Sequence, residues 1–203
     1  MQGSAAPRIC AKDLACRRGD RLLFRRLSLE LGAGEVCHVT GANGSGKTTL
    51  IRTLAGLSDP YAGEALCEGS VGLLNERIGL DPEQTLGGAL DFWFALDGCS
   101  DRMAVLERLR LSELVDVPVR YLSTGQRKRA GLARLLGQKA DIWLLDEPLS
   151  GLDTASQALV DELVTQHCAG GGIALIASHQ ALVVPDLRTL AIEDFVVPPE
   201  VLS

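Results

Sequence analysis

The chain has 203 residues, of which 46% are hydrophobic, 23% charged and only 4% aromatic, a composition that fits one globular domain with a sizeable core. A net charge of −6 gives no overall field to draw the molecule onto nucleic acid or an anionic bilayer. The opening MQGSAAPRIC lacks an apolar h-region, and no run approaches the roughly 20 apolar residues of a membrane span, so membrane contact is expected only through partner subunits.

Residues 8–40 read as strands: RICAKDLACR and LSLEL alternate in part, and EVCHVT is a short β-branched run bounded by Gly. GANGSGKTTLIRTLAGL is a Gly-rich loop opening into a helix. DPYAGEALCEG places a turn around Pro60 and Gly63 and then a brief strand. Between about 86 and 138 the pattern becomes helical, in LGGALDFWFAL, DRMAVLERLRLSELV and STGQRKRAGLARLLGQ, with breaks at Gly, Ser and Pro118. Strand character returns in DIWLLDEP. The helix TASQALVDELVTQHC follows, capped by Asp153 or Thr154. After a GGG turn come the buried-type run IALIAS and a last strand in RTLAIED. The expected fold is therefore a single α/β domain over 1–203, with a core of 1–75 and 139–203 and an inserted helical subdomain at about 86–138. Six cysteines, with no CxxC pair, read as reduced thiols packed as small hydrophobes.

GANGSGKTT, between a strand and a helix, has the spacing of a P-loop. Gly41, Gly44 and Gly46 let the backbone curl so that its N–H groups face phosphates. The whole loop is assigned to nucleotide: Gly41, Ala42, Asn43, Gly44, Ser45, Gly46, Lys47, Thr48 and Thr49. Lys47 supplies a point charge to the β and γ phosphates, and the Thr48 hydroxyl a ligand to Mg²⁺. In DIWLLDEP, four apolar residues deliver Asp146 to the carboxyl end of a buried strand, where ligands of open α/β sheets bind. Asp146 is then a Mg²⁺ partner, directly or through water. Glu147, expected to point the other way along a period-two strand, is the candidate base that polarises the attacking water. IALIASHQ brings His179 to the same edge, as a contact to the γ-phosphate. His38 and His167 lack that setting and read as structural.

YLSTGQRKRAGLARLL begins as a helix crowded with Ser, Thr, Gly and Gln, a second place suited to an anion. Its RKR at 127–129, with Arg134, does not share one face and has no interleaved aromatics, so a solvated face is expected and nucleic acid is not.

Taken in order, the P-loop, LSTGQ, LLDEP, LSGLD and a strand ending in His resemble the ATP-binding cassette (ABC) ATPases over essentially the whole chain, with Thr124 where the usual signature has Gly. The resemblance implies an ABC-type P-loop NTPase domain with an antiparallel β edge. It also implies a head-to-tail pair in which Ser123, Gly125 and Gln126 of one copy cover the ATP held by the other, with Asp153 among the nucleotide contacts. Within that superfamily the chain is similar to the ATP-binding subunits of cytochrome c maturation, the haem exporter protein A family. GLSDPYAGEALCEG, GQRKRAGLARLLGQKADIWLLDEPLSGLD and GGGIALIASHQALVV carry that likeness. It implies an ATP hydrolase using ATP and Mg²⁺, peripheral at the cytoplasmic face of a bacterial inner membrane. Its implied partners are integral membrane subunits resembling haem exporter proteins B and C, and its implied role is haem export or release of a haem-loaded chaperone. A lipid, peptide or drug exporter subunit is the alternative, followed by a soluble ABC ATPase acting on nucleic acid. Two positions depart from the superfamily pattern. Glu76 stands where a metal-sensing Gln is usual and is assigned to the metal. CRRGD replaces the aromatic that stacks on adenine, so Arg17 or Arg18 has to supply a planar cation. ALDFWFAL is expected to be mostly local core, and an exposed ring there would mark a groove for a partner's helix.

Overall fold

The structure is a computed structural model that describes residues 6–196. Strands β1 (Arg8–Arg18), β2 (Arg21–Gly32) and β4 (Ala62–Glu68) form an antiparallel sheet in the order β2-β1-β4. Strands β3 (Val36–Thr40), β5 (Val71–Leu74), β6 (Ile142–Asp146), β7 (Ile173–Ala177) and β8 (Arg188–Ala191) form a parallel sheet in the order β5-β6-β7-β3-β8. The described residues also form five α-helices, α1 (Lys47–Leu54), α2 (Leu86–Leu96), α3 (Arg102–Arg108), α4 (Thr124–Gln138) and α5 (Thr154–Ala169), and three short 3-10 turns.

β6 and β7 are buried at every position, as parallel strands covered on both faces must be. Their alternate side chains feed two separate cores. Ile142 and Leu144 pack with Phe24, Leu27, Leu50 and Ile51, beneath the antiparallel sheet and α1. Trp143 and Leu145 face the opposite way, toward Leu90, Leu132 and Val160 of the helices. Each such buried chain contributes roughly 1.5–3 kcal/mol, so the sheet edge that carries Asp146 is clamped from both sides.

The sequence pattern does not reveal β5. At four residues it is short, and Gly72 interrupts it because a Cβ there would run into Leu135 of α4. The solvated face expected for RKR is also corrected. Lys128 is buried, Arg127 donates to the Arg120 carbonyl, and Arg129 donates to the carbonyls of Leu109 and Arg110 at 2.7 and 2.9 Å. Arg134 lies 3.6 Å over the Trp93 ring and donates to the Ile78 carbonyl. These cations satisfy loop carbonyls around α4, a use that sequence spacing does not disclose. All six cysteines are free thiols, with Cys16, Cys37 and Cys168 buried.

Candidate active site

The P-loop joins β3 to α1. Gly41, Gly44 and Gly46 have φ of 145°, 80° and 114°, values that side chains of L-residues resist. A Cβ on Gly41 would press into Ile192 and one on Gly46 into Phe24, whereas Gly44 meets nothing within 4 Å and faces the open mouth. Lys47 is only 7% exposed, and its ammonium curls back to donate to the carbonyls of Gly41 at 2.6 Å and Ala42 at 3.2 Å. The Ala42 N–H donates to Glu193 Oε1 at 2.7 Å, so a carboxylate from the 3-10 turn Ile192–Phe195 holds the outer lip. Sequence reasoning does not find Glu193, which lies 151 residues away in a segment with no motif. Ser45 Oγ is buried without a partner. The loop encloses a cavity of about 190 Å³ that Asn43, Thr49 and Glu147 also line.

β6 carries Asp146 to this edge, where Thr48 Oγ1 donates to Asp146 Oδ1 at 3.1 Å. Burial pushes the Asp146 carboxyl up, the Thr48 hydroxyl opposes it, and nearby Glu147 and Glu76 add to the rise. A buried carboxylate that touches a hydroxyl, with Lys128 offsetting part of the rise, fits Mg²⁺, which keeps most of its waters and takes one or two protein oxygens. Glu76 lines the adjoining cavity of about 550 Å³ with Thr48, Asp146 and Glu147. Among the described residues no group of three His, Cys, Asp or Glu gathers to hold a metal.

Glu147 does not continue the strand, contrary to the period-two expectation. Its φ is 48°, a left-handed turn that ends β6 and costs a non-Gly residue roughly 1–3 kcal/mol. Three contacts hold the turn: its N–H donates to the Ala177 carbonyl at 2.8 Å, and its carbonyl accepts from Lys128 Nζ at 2.9 Å and the Ser150 N–H at 3.3 Å. The carboxylate then enters the P-loop cavity, with Oε2 2.9 Å from His179 Nδ1. His179 is half-exposed and follows the fully buried Ser178, whose carbonyl accepts from His38 Nε2 at 3.0 Å. His167 stacks on Trp143 with centroids 4.0 Å apart. Both of these histidines serve packing.

The signature residues lie elsewhere. Ser123 caps α4 in a reciprocal box: its Oγ accepts from the Gln126 N–H at 3.2 Å, and its own N–H donates to Gln126 Oε1 at 2.8 Å. Gly125 leaves room for the Gly151 carbonyl, and the Thr124 methyl packs against Gly151, so LSTGQ rests on LSGLD. Asp153 accepts from the Ser156 N–H at 2.7 Å and caps α5. Ser123, Gly125, Gln126 and Asp153 line neither cavity around the P-loop of their own chain. Arg17 turns away to sit 5.3 Å over the Tyr61 ring, whereas Arg18 borders both cavities. In ALDFWFAL, Phe94 is buried and Phe92 is 63% exposed.

Residues 24–150 match the family model described as ABC transporter. The chain is 52% identical to the cytochrome c biogenesis ATP-binding export protein CcmA of Novosphingobium aromaticivorans, over 92% of this chain and 96% of that one. It is 49% identical to the protein of the same name from Zymomonas mobilis, over 93% and 86%. Among solved structures, an ABC transporter ATP-binding protein from Pyrococcus furiosus superimposes with a TM-score of 0.81 at 25% identity, covering 94% of this chain and all of that one. The chain belongs to the ABC transporter ATP-binding family and, within it, to the CcmA group of cytochrome c biogenesis proteins.

Proposed function

We propose that this chain hydrolyses ATP to drive an export complex of cytochrome c biogenesis, with the residues gathered at the β6 edge as its catalytic centre. The observation that carries the reading is the Thr48–Asp146 contact, with Glu147 entering the cavity beside it. The backbone N–H groups of Gly41–Thr49 receive the phosphates, and Lys47 exchanges its loop carbonyls for the β and γ oxygens. Thr48 and Asp146 would hold Mg²⁺, with Glu76 beside them, and the ion would supply charge neutralisation at the phosphates. Glu147 orients the attacking water and receives its proton. His179 steadies that carboxylate and touches the γ-phosphate. ATP and water become ADP and phosphate.

Ser123, Gly125, Gln126 and Asp153 act on the nucleotide of a second copy, which explains why they lie apart from their own P-loop. Arg18, on the cavity wall, replaces Arg17 as the planar cation for adenine. Two nucleotides close the pair, and hydrolysis reopens it. No helix among the described residues is long and apolar enough to cross a membrane. The chain works at the cytoplasmic face of a bacterial inner membrane, on integral subunits resembling haem exporter proteins B and C. Phe92 offers an apolar contact for one of their helices. The closed–open cycle releases a haem-loaded chaperone on the far side.

Affinity purification of the tagged chain from detergent-solubilised membranes tests the assignment. Co-purification of haem-handling integral subunits is the expected result. Recovery of an unrelated permease, or of nucleic acid that salt removes, contradicts it.

A further inference from the structure

Lys128 is a buried charged side chain beside these carboxylates, and the reaction scheme gives it no part. It projects from α4, is 7% exposed, and donates to the main-chain carbonyl of Glu147 at 2.9 Å. The cavity of about 280 Å³ beneath it is bordered by Glu76 and Glu147. Arg127 borders the same cavity, but it is exposed and donates to the Arg120 carbonyl. Loss of water pushes the Lys128 ammonium pKa down, and the carboxylates of Asp146, Glu76 and Glu147 push it back up. A buried cation persists where anions and an acceptor offset its desolvation. Here both are present, and the acceptor is the peptide of a strained residue.

We propose that Lys128 is a positioning residue for ATP hydrolysis, fixing the left-handed peptide of Glu147 and supplying the counter-charge that allows Glu76 to stand beside Asp146 and Glu147. The inference rests on the reading of Glu147 as the base. It gives α4 two tasks, since the helix that Ser123 caps also anchors the base of its own chain.

The test is steady-state hydrolysis by the membrane complex carrying Lys128→Met, alone and combined with Glu76→Gln. Lys128→Met loses a charge-assisted hydrogen bond, so kcat falls about 10- to 100-fold. KM for ATP stays within about threefold, because the Lys47 cradle is untouched. Adding Glu76→Gln removes the uncompensated anion and recovers kcat at least about fivefold. Where Lys128→Met does not fold, Lys128→Gln takes its place with the same expectations. Wild-type kcat in the Lys128 variant, a loss confined to KM, or no recovery with Glu76→Gln overturns the proposal. Glu147→Gln, measured alongside, separates the two readings. If it retains full turnover, the base assignment falls. If it is inactive while Lys128→Met is unaffected, only the Lys128 inference falls.

Discussion

Lys47→Ala is expected to lower kcat for ATP hydrolysis by about 10²–10³-fold, the scale for removing one preorganised charge from a transition state. Its ammonium is buried in the P-loop with only the carbonyls of Gly41 and Ala42 as partners. Those two acceptors hold the cation in place without neutralising it, so its full charge is available to the phosphates. The fold should survive, because the contacts that shape the loop belong to others. Phe24 and Ile192 press on the loop glycines, and Glu193 holds the Ala42 N–H. Steady-state assays of the membrane complex, with circular dichroism of the purified chain, check both halves. Near-normal turnover in Lys47→Ala would remove the P-loop from the chemistry.

Glu147→Gln comes second, with an expected drop in kcat of about 10²-fold or more and little change in ATP affinity. The amide keeps the size of the side chain and its place in the cavity but cannot take a proton. The backbone is expected to stay as it is, since the left-handed turn is held by Ala177, Lys128 and Ser150 through main-chain atoms. A loss in kcat alone therefore reports chemistry and not a collapsed turn. Full turnover in this variant would contradict the assignment.

Much of this site is legible in the amino-acid order, because two of its parts are local. A P-loop is a contiguous turn whose glycine spacing is complete within nine residues, even though Ile192 and Phe24 are what Gly41 and Gly46 pack against. The buried run Ile142–Leu145 projects Asp146 by strand geometry alone. The reading loses accuracy where a side chain depends on distant segments. Glu147 leaves the strand pattern because Ala177, Lys128 and Ser150 capture its peptide. RKR looks like a solvated run, yet its cations answer carbonyls at Leu109, Arg110, Arg120 and Glu147. Of the two arginines in CRRGD, strand alternation gives one to Tyr61 and the other to the cavity, and composition cannot choose between them. β5 escapes notice because Gly72 serves the close approach of α4 and spoils the apolar run.

Cryo-electron microscopy of the Glu147→Gln complex saturated with MgATP decides whether nucleotide bridges two copies. Ser123 Oγ is predicted to lie about 3 Å from a γ-phosphate oxygen bound in the opposite copy's P-loop. A nucleotide-saturated complex whose Ser123 stays more than about 10 Å from that triphosphate, beyond the reach of any hydrogen bond, would contradict the shared site.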